Sequence, residues 1–227
     1  MKEKKSVGLA LSGGGARGFC HLGIIKALEE LNISIDCIVG TSAGSVVGGI
    51  YAAGVPIDDM IKASQNLSWR NFAKFHLSRR SMFTAKPIEK LIASLVGNIY
   101  FSELKFPFYV VLTDILKGTG VAMNDADVRI SEAIRASCSF PGIFDPVKIK
   151  DTYYFDGNAS FNLPANVLKD KNIDIILSVD VIPYVQLGSL PRHFAHFLDR
   201  GFDLLLHHVA KKNHEVSDLV FKPIEGQ

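Results

Sequence analysis

Ser42 stands between two glycines in Gly40-Thr41-Ser42-Ala43-Gly44, a spacing in which a serine hydroxyl can serve as an acyl-transfer nucleophile. The run Ile38-Val39 before it reads as a buried strand, and Ser45-Val46-Val47 after it as a helix packed on that strand. A serine at such a junction sits on a sharp turn, and glycines two positions to either side let the neighbouring backbones close in. The turn lifts the hydroxyl off the sheet toward the helix N-terminus, where free amides and partial positive charge favour an anion. The same five-residue pattern also occurs as an ordinary glycine-rich turn, so its meaning depends on what else the chain supplies.

A second glycine cluster, Gly13-Gly14-Gly15-Ala16-Arg17-Gly18, follows the apolar run Val7-Gly8-Leu9-Ala10-Leu11. Its Gly-x-Gly-x-x-Gly spacing fits a dinucleotide-binding loop, and that use requires an acid at the end of the second strand to reach a ribose. Asp36 instead lies at the start of that strand, whose end is taken by the serine turn. An oxyanion hole is the better reading. Loops after adjacent parallel strands emerge at one sheet edge, so the amides of Gly13, Gly14 and Gly15 would face the carbonyl that Ser42 attacks. Arg17 would add positive charge, and Gly18 closes the cluster; one such donor is typically worth about 10²–10³ in rate. Arg17 equally suits a surface salt bridge, and His21, one turn into the next helix, suits a packed core histidine.

A serine nucleophile needs a group to take its proton. Asp156 in Tyr153-Tyr154-Phe155-Asp156-Gly157 follows an aromatic strand and precedes a glycine, which would hold its carboxylate at a turn. Asp114, at the end of Val111-Leu112-Thr113, is the rival, although strand-end aspartates commonly cap turns. The C-terminal third carries His193, His196, His207, His208 and His214, so a Ser-Asp-His triad in α/β-hydrolase order is an alternative. Against it, the nucleophile arrives after only the second strand. No two-histidine-plus-acid pattern of a zinc hydrolase is present, and no metal is expected.

The elements that must position these residues alternate between strand and helix. Strands are expected at Val7–Leu11, Ile35–Gly40, Phe106–Thr113, Gly118–Met123 and Ile173–Val181, with a hairpin over Val147–Phe155 and a last short strand at Asp218–Phe221. Helices are expected up to Leu31 with Ile24, Leu28 and Leu31 on one face, from about Val55-Pro56, and over Lys86–Val96, Val128–Ser137 and His193–Lys212. Strands apolar on both faces between helices indicate an α/β fold, a mainly parallel sheet covered on both sides in three layers. With no repeat or linker in 227 residues, one domain over 1–227 is the economical organisation.

Composition excludes several classes. A net charge of +2 without a basic stripe gives no argument for nucleic acid, and three scattered cysteines suit a reducing compartment. Lys2, Lys4 and Lys5 resemble a signal n-region, but Val7 to Leu11 is too short an apolar stretch, so a cytoplasmic setting is expected. Cys37 to Ile57 contains no charge and mimics a membrane span, yet its serines, threonine and glycines fit a buried strand followed by a buried helix. From Leu67 to Phe83, Trp69, Phe72, Phe75, Leu77, Met82 and Phe83 interleave with Arg70, Lys74, Arg79 and Arg80, which suits either an interfacial segment on anionic lipid or aromatics packed on the domain.

Taken in order, the Gly13–Gly18 cluster, Gly40–Gly44, Ser139-Phe140-Pro141-Gly142-Ile143-Phe144 and Asp156-Gly157 resemble the patatin-like phospholipase family. The resemblance is specific over about residues 7–164 and looser beyond. It implies a Ser–Asp dyad without histidine, with Ser42 as nucleophile, Asp156 as general base and the first glycine loop as oxyanion hole. It also implies hydrolysis of ester bonds in phospholipids, lysophospholipids or other acyl lipids through an acyl-enzyme, with no cofactor and with peripheral membrane contact as a further expectation. One departure stands out: the family's third motif usually continues Asp-Gly-Gly or Asp-Gly-Ala, whereas Asn158 follows Gly157 here. Asparagine tolerates left-handed backbone, which would let the turn survive.

Overall fold

A computed structural model describes residues 5–78, 80–182, 187 and 190–224, apart from the side chains of residues 69, 194, 195, 199 and 212. The first half contains β1 (Val7–Leu11), α1 (Cys20–Glu30), β2 (Cys37–Thr41), α2 (Ala43–Ala52), α3 (Ile57–Ser64), α4 (Trp69–Phe72), β3 (Lys74–Phe75), β4 (Phe83–Thr84) and α5 (Lys86–Val96). The second half contains β5 (Phe108–Asp114), β6 (Thr119–Met123), α6 (Ile130–Ser137), β7 (Val147–Ile149) and β8 (Thr152–Asp156). It closes with α7 (Ala165–Asp170), β9 (Ile175–Val179), α8 (Phe194–His214) and β10 (Leu219–Phe221).

The main sheet runs β10-β9-β1-β2-β5-β8-β7, and its first five strands are parallel. β1 and β2 are buried along almost their whole length, as a sheet covered on both faces requires. Alternate residues feed two cores. Leu9, Leu11, Ile38, Val110 and Leu177 join the larger one, while Ala10, Val39, Val111 and Ile176 meet Val167 and Leu168 of α7 in the smaller. The uncharged stretch 37–57 resolves into β2 and α2, as its composition implied.

At the N-terminal rim of the parallel strands, carboxylates cap strand amides. Asp36 accepts from Val7 N at 2.8 Å, Asp174 from Ser6 N at 2.8 Å, and Asp218 from Ile176 N at 2.8 Å. Asp36 is thereby placed at the rim opposite the serine turn.

At the other rim, β5 acts as a shared ruler. β6 pairs with Val110–Asp114 along one edge, so β2 and β8 must share the other. β2 ends with Thr41 opposite Val111, and the antiparallel β8 ends with Asp156 opposite Leu112. The two strand ends therefore meet head-on.

One expectation is corrected. In α1 the buried stripe is His21, Leu22, Ile25 and Leu28; of the expected Ile24, Leu28 and Leu31, Leu28 is buried and Ile24 packs partly buried against the core, while Leu31 does not belong to the stripe. Leu31 lies beyond the helix end and is 69% exposed. The short α7, α4 and the β3–β4 pair were not anticipated.

Candidate active site

The strand-end meeting puts Ser42 Oγ 2.9 Å from Asp156 Oδ2, to which it donates. Ser42 occupies the turn between β2 and α2 with φ 50° and ψ −118°, a conformation that costs a residue with a side chain about 1–3 kcal/mol. Three contacts hold it there. Its amide donates to Ser137 Oγ at 2.8 Å, and its carbonyl accepts from Ser45 N at 2.8 Å and Ser45 Oγ at 2.6 Å. Ser137 in turn donates to Val111 O at 2.7 Å, so one hydroxyl fastens the turn to β5. The flanking glycines answer to close approach: a Cβ on Gly40 would stand 2.5 Å from Gly44 O, and one on Gly44 2.3 Å from Leu11 O.

Asp156 is 2% exposed. Its Oδ1 accepts from Asn158 N at 2.9 Å, and its own amide donates to Ser139 O at 3.0 Å. Burial lifts its carboxyl from 3.8 to about 7, against the opposing pull of the Asn158 and Ser42 hydrogen bonds. Burial beside Asp156 pushes the pKa of the Cys138 thiol well up, so it stays a thiol. Asp114, the rival acid, caps its own turn through Leu116 N at 3.0 Å and Lys117 N at 3.1 Å.

The first glycine loop enters a 3-10 turn, Gly15–Phe19, that packs on the start of α2: a Cβ on Gly18 would lie 2.5 Å from Ala43 Cβ. Its amides are not equivalent. Gly13 N donates to Asn162 O at 3.2 Å and Arg17 N to Gly14 O at 3.2 Å. Gly14 and Gly15 donate to no acceptor among the described residues, and Ala43, as the first residue of α2, has no intrahelical acceptor for its amide. The Arg17 guanidinium grips Asp203 of α8 at 2.9 and 2.5 Å, the salt-bridge use of that residue.

Asn158 turns out to matter through its side chain. It does not adopt the left-handed backbone expected of it; it lies in a 3-10 turn, Gly157–Ala159, with its amide group buried. Asn158 Oδ1 accepts from Asn162 Nδ2 at 2.9 Å and fills the space beside Gly13, where a Cβ would come within 2.0 Å of it. Asn162 O in turn receives the Gly13 amide. The acid turn and the glycine loop are thus tied by two asparagines, of which the sequence pointed to one and for another reason. Ser137 was overlooked, its only signal being the run Ala136-Ser137-Cys138-Ser139.

The histidines serve elsewhere. His21 is fully buried and its Nε2 donates to Ser12 O at 2.9 Å; burial drops its pKa to about 4, so it is neutral. His214 pairs with Asp180 at 2.8 Å. His193 and His196 stack edge-to-face, as do His207 and His208. Among the described residues no cluster of three or more His, Cys, Asp or Glu could hold a metal ion. The 67–83 segment divides: Phe72 and Phe83 pack against the core, whereas Phe75, Leu77 and Met82 are exposed. Arg79 and the Trp69 side chain lie outside the described residues. No described helix is long and apolar enough to cross a membrane.

Comparison with known proteins identifies the family and the fold. The chain is 33% identical over 178 residues to an uncharacterised NTE family protein of Mycobacterium tuberculosis, covering 77% of this chain and 49% of that protein. It is 33% identical over 187 residues to lysophospholipase NTE1 of Pyricularia oryzae, covering 78% of this chain and 12% of the fungal protein. The chain therefore spans about half or less of the length of these curated relatives. In fold it is similar to VipD from Legionella pneumophila, with a TM-score of 0.61 at 16% identity over 87% of this chain and 52% of that one. A chain in the complex of ExoU with SpcU from Pseudomonas aeruginosa matches with a TM-score of 0.55 at 16% identity, over 94% of this chain and 52% of that one. Residues 9–169, which include the glycine loop, the serine turn, Asp156 and both asparagines, match the patatin-like phospholipase family, and the chain belongs to that family.

Proposed function

We propose that this chain is a serine acyl-lipid hydrolase in which Ser42 and Asp156 work as a dyad. The contact that carries the reading is the Ser42 Oγ donation to Asp156 Oδ2 at 2.9 Å, with nothing between the two groups. The ionised carboxylate takes the hydroxyl proton as Oγ attacks the ester carbonyl. The amides of Gly14 and Gly15 receive the oxyanion, the role assigned at the sequence level to the whole loop. Protonated Asp156 then returns the proton to the departing alcohol, leaving acyl-Ser42, and water repeats the sequence to release the fatty acid. A base near 7 suits this exchange, because it is partly ionised at neutral pH and its conjugate acid still donates readily.

The family and a relative named lysophospholipase support phospholipids, lysophospholipids or related acyl esters as the substrate class. The dyad needs no cofactor. Among the described residues no histidine hydrogen-bonds Ser42 or Asp156, as the triad alternative would require, and the space beside Gly13 is filled by the Asn158 side chain. A fluorophosphonate probe tests the reading. Labelling is expected in the wild type and absent in Ser42→Ala, with kcat/KM for a soluble ester rising through about pH 7 to a plateau. Labelling that survives Ser42→Ala would remove the assignment.

A further inference from the structure

A cavity of about 440 Å³ lies beside the β3–β4 hairpin and α5, and the reaction makes no use of it. Ser139 contributes to its wall, and the Ser139 carbonyl receives the Asp156 amide at 3.0 Å. The wall also carries Lys74 and His76 from the β3–β4 hairpin, Lys86 and Lys90 from α5, Arg135 from α6, and Asp145.

The charges there do not cancel. Glu89 is already held by Arg135 at 2.7 Å, and Asp145 accepts from the Ser78 and Ser81 hydroxyls at 2.8 and 2.6 Å. Lys74, Lys86 and Lys90 make no ion pair among the described residues. Lys86 opens α5, where the helix already presents partial positive charge, so a lysine there raises the local potential. Arg135 Nε is buried without a hydrogen-bond partner. A cavity with this surplus is suited to an anion with several acceptor oxygens.

A second observation is apolar. The same hairpin exposes Phe75, Leu77 and Met82 at 67%, 73% and 53%. The described residues of the hairpin are tied together: His76 N donates to Met82 O at 3.0 Å, Ser78 N to Ser81 O at 2.9 Å, and both serines anchor on Asp145. An apolar tip beside unpaired cations matches the layering of an anionic bilayer, acyl chains beneath phosphates.

We infer that this cavity receives the phosphate of an anionic phospholipid while Phe75, Leu77 and Met82 enter the acyl boundary, docking the chain on the bilayer. Docking of this kind is independent of turnover at Ser42. Vesicles of ether-linked phosphatidylglycerol and phosphatidylcholine in equal parts, which an ester hydrolase cannot cleave, separate the two. The wild type is expected to cosediment with them and not with ether-linked phosphatidylcholine alone. Lys86→Gln with Lys90→Gln should weaken binding about tenfold or more at low salt. Leu77→Ser with Met82→Ser should weaken it comparably, and both pairs should unfold within about 2 °C of the wild type, since all four residues are exposed. Equal binding to both vesicle types, or lysine variants that bind as the wild type does, would overturn the inference. So would glycerol 3-phosphate raising the wild-type Tm through those lysines with no vesicle binding, which would reassign the cavity to a free phosphate ester.

Discussion

At the N-terminal rim of the sheet, Asp174 accepts two hydrogen bonds, from Ser6 N and Ser6 Oγ, and those bonds hold its carboxyl below the ordinary aspartate range. At the opposite rim Asp156 also accepts two, from Asn158 N and Ser42 Oγ, yet its carboxyl rises to about 7. The donors are alike in number and nearly alike in length. Exposure makes the difference: Asp174 keeps its hydration, while Asp156 has lost it and retains only what two donors return. One rim therefore uses aspartate to finish a backbone, the other to hold a proton in balance.

Asp156→Asn should break this contrast most. Activity on a soluble ester is expected to fall about 10³-fold or more, because the base is gone. Stability should move the other way. A folded carboxyl raised from 3.8 to about 7 holds its proton more tightly than the unfolded chain does. Its charge therefore burdens the fold fully above about pH 7 and not at all below about pH 4, by roughly 4 kcal/mol. The asparagine variant should melt higher than the wild type at pH 8, with the gap closing on acidification; thermal scans at both pH values check the sign.

Ser137→Ala sharpens the comparison at the serine itself. Removing the hydroxyl leaves the Ser42 amide and a Val111 acceptor site unpartnered in the interior, at about 1–3 kcal/mol of stability. With the strained turn less firmly held, kcat should drop roughly tenfold while KM changes little. A fall in stability with kcat intact would make Ser137 a packing residue only. The smallest effect belongs to the other rim. Asp174→Asn should shift Tm by about 2 °C or less and leave kcat/KM unchanged, since the residue lies on the surface and far from the serine turn.

The parallel strands were legible because β1, β2, β5 and β9 are apolar on both faces, a pattern that little else produces. Ser42 and Asp156 were legible from their turns. Their meeting was not, because it depends on β2 and β8 sharing one edge of β5, a matter of register that no local pattern records. The α1 stripe could be read in two phases, and only the helix end at Glu30 excludes Leu31. At six residues, α7 is too short for its period to show. Asn158 was noticed as a departure from the family pattern, but its use lies in a partner four residues on, Asn162, that makes sense only in three dimensions.

The family match ends at residue 169, yet much of what shapes the glycine loop comes later. Ser12 N finds its acceptor in Val179 O, Val181 N returns a bond to Ser12 Oγ, and the Val181 side chain occupies the space a Cβ on Gly14 would need. Arg17 is gripped by Asp203. A fragment trimmed to the recognisable portion would keep every signature residue and lose the mould in which the loop is cast. The unremarked final quarter of the chain is in this sense tooling for the first eighteen residues.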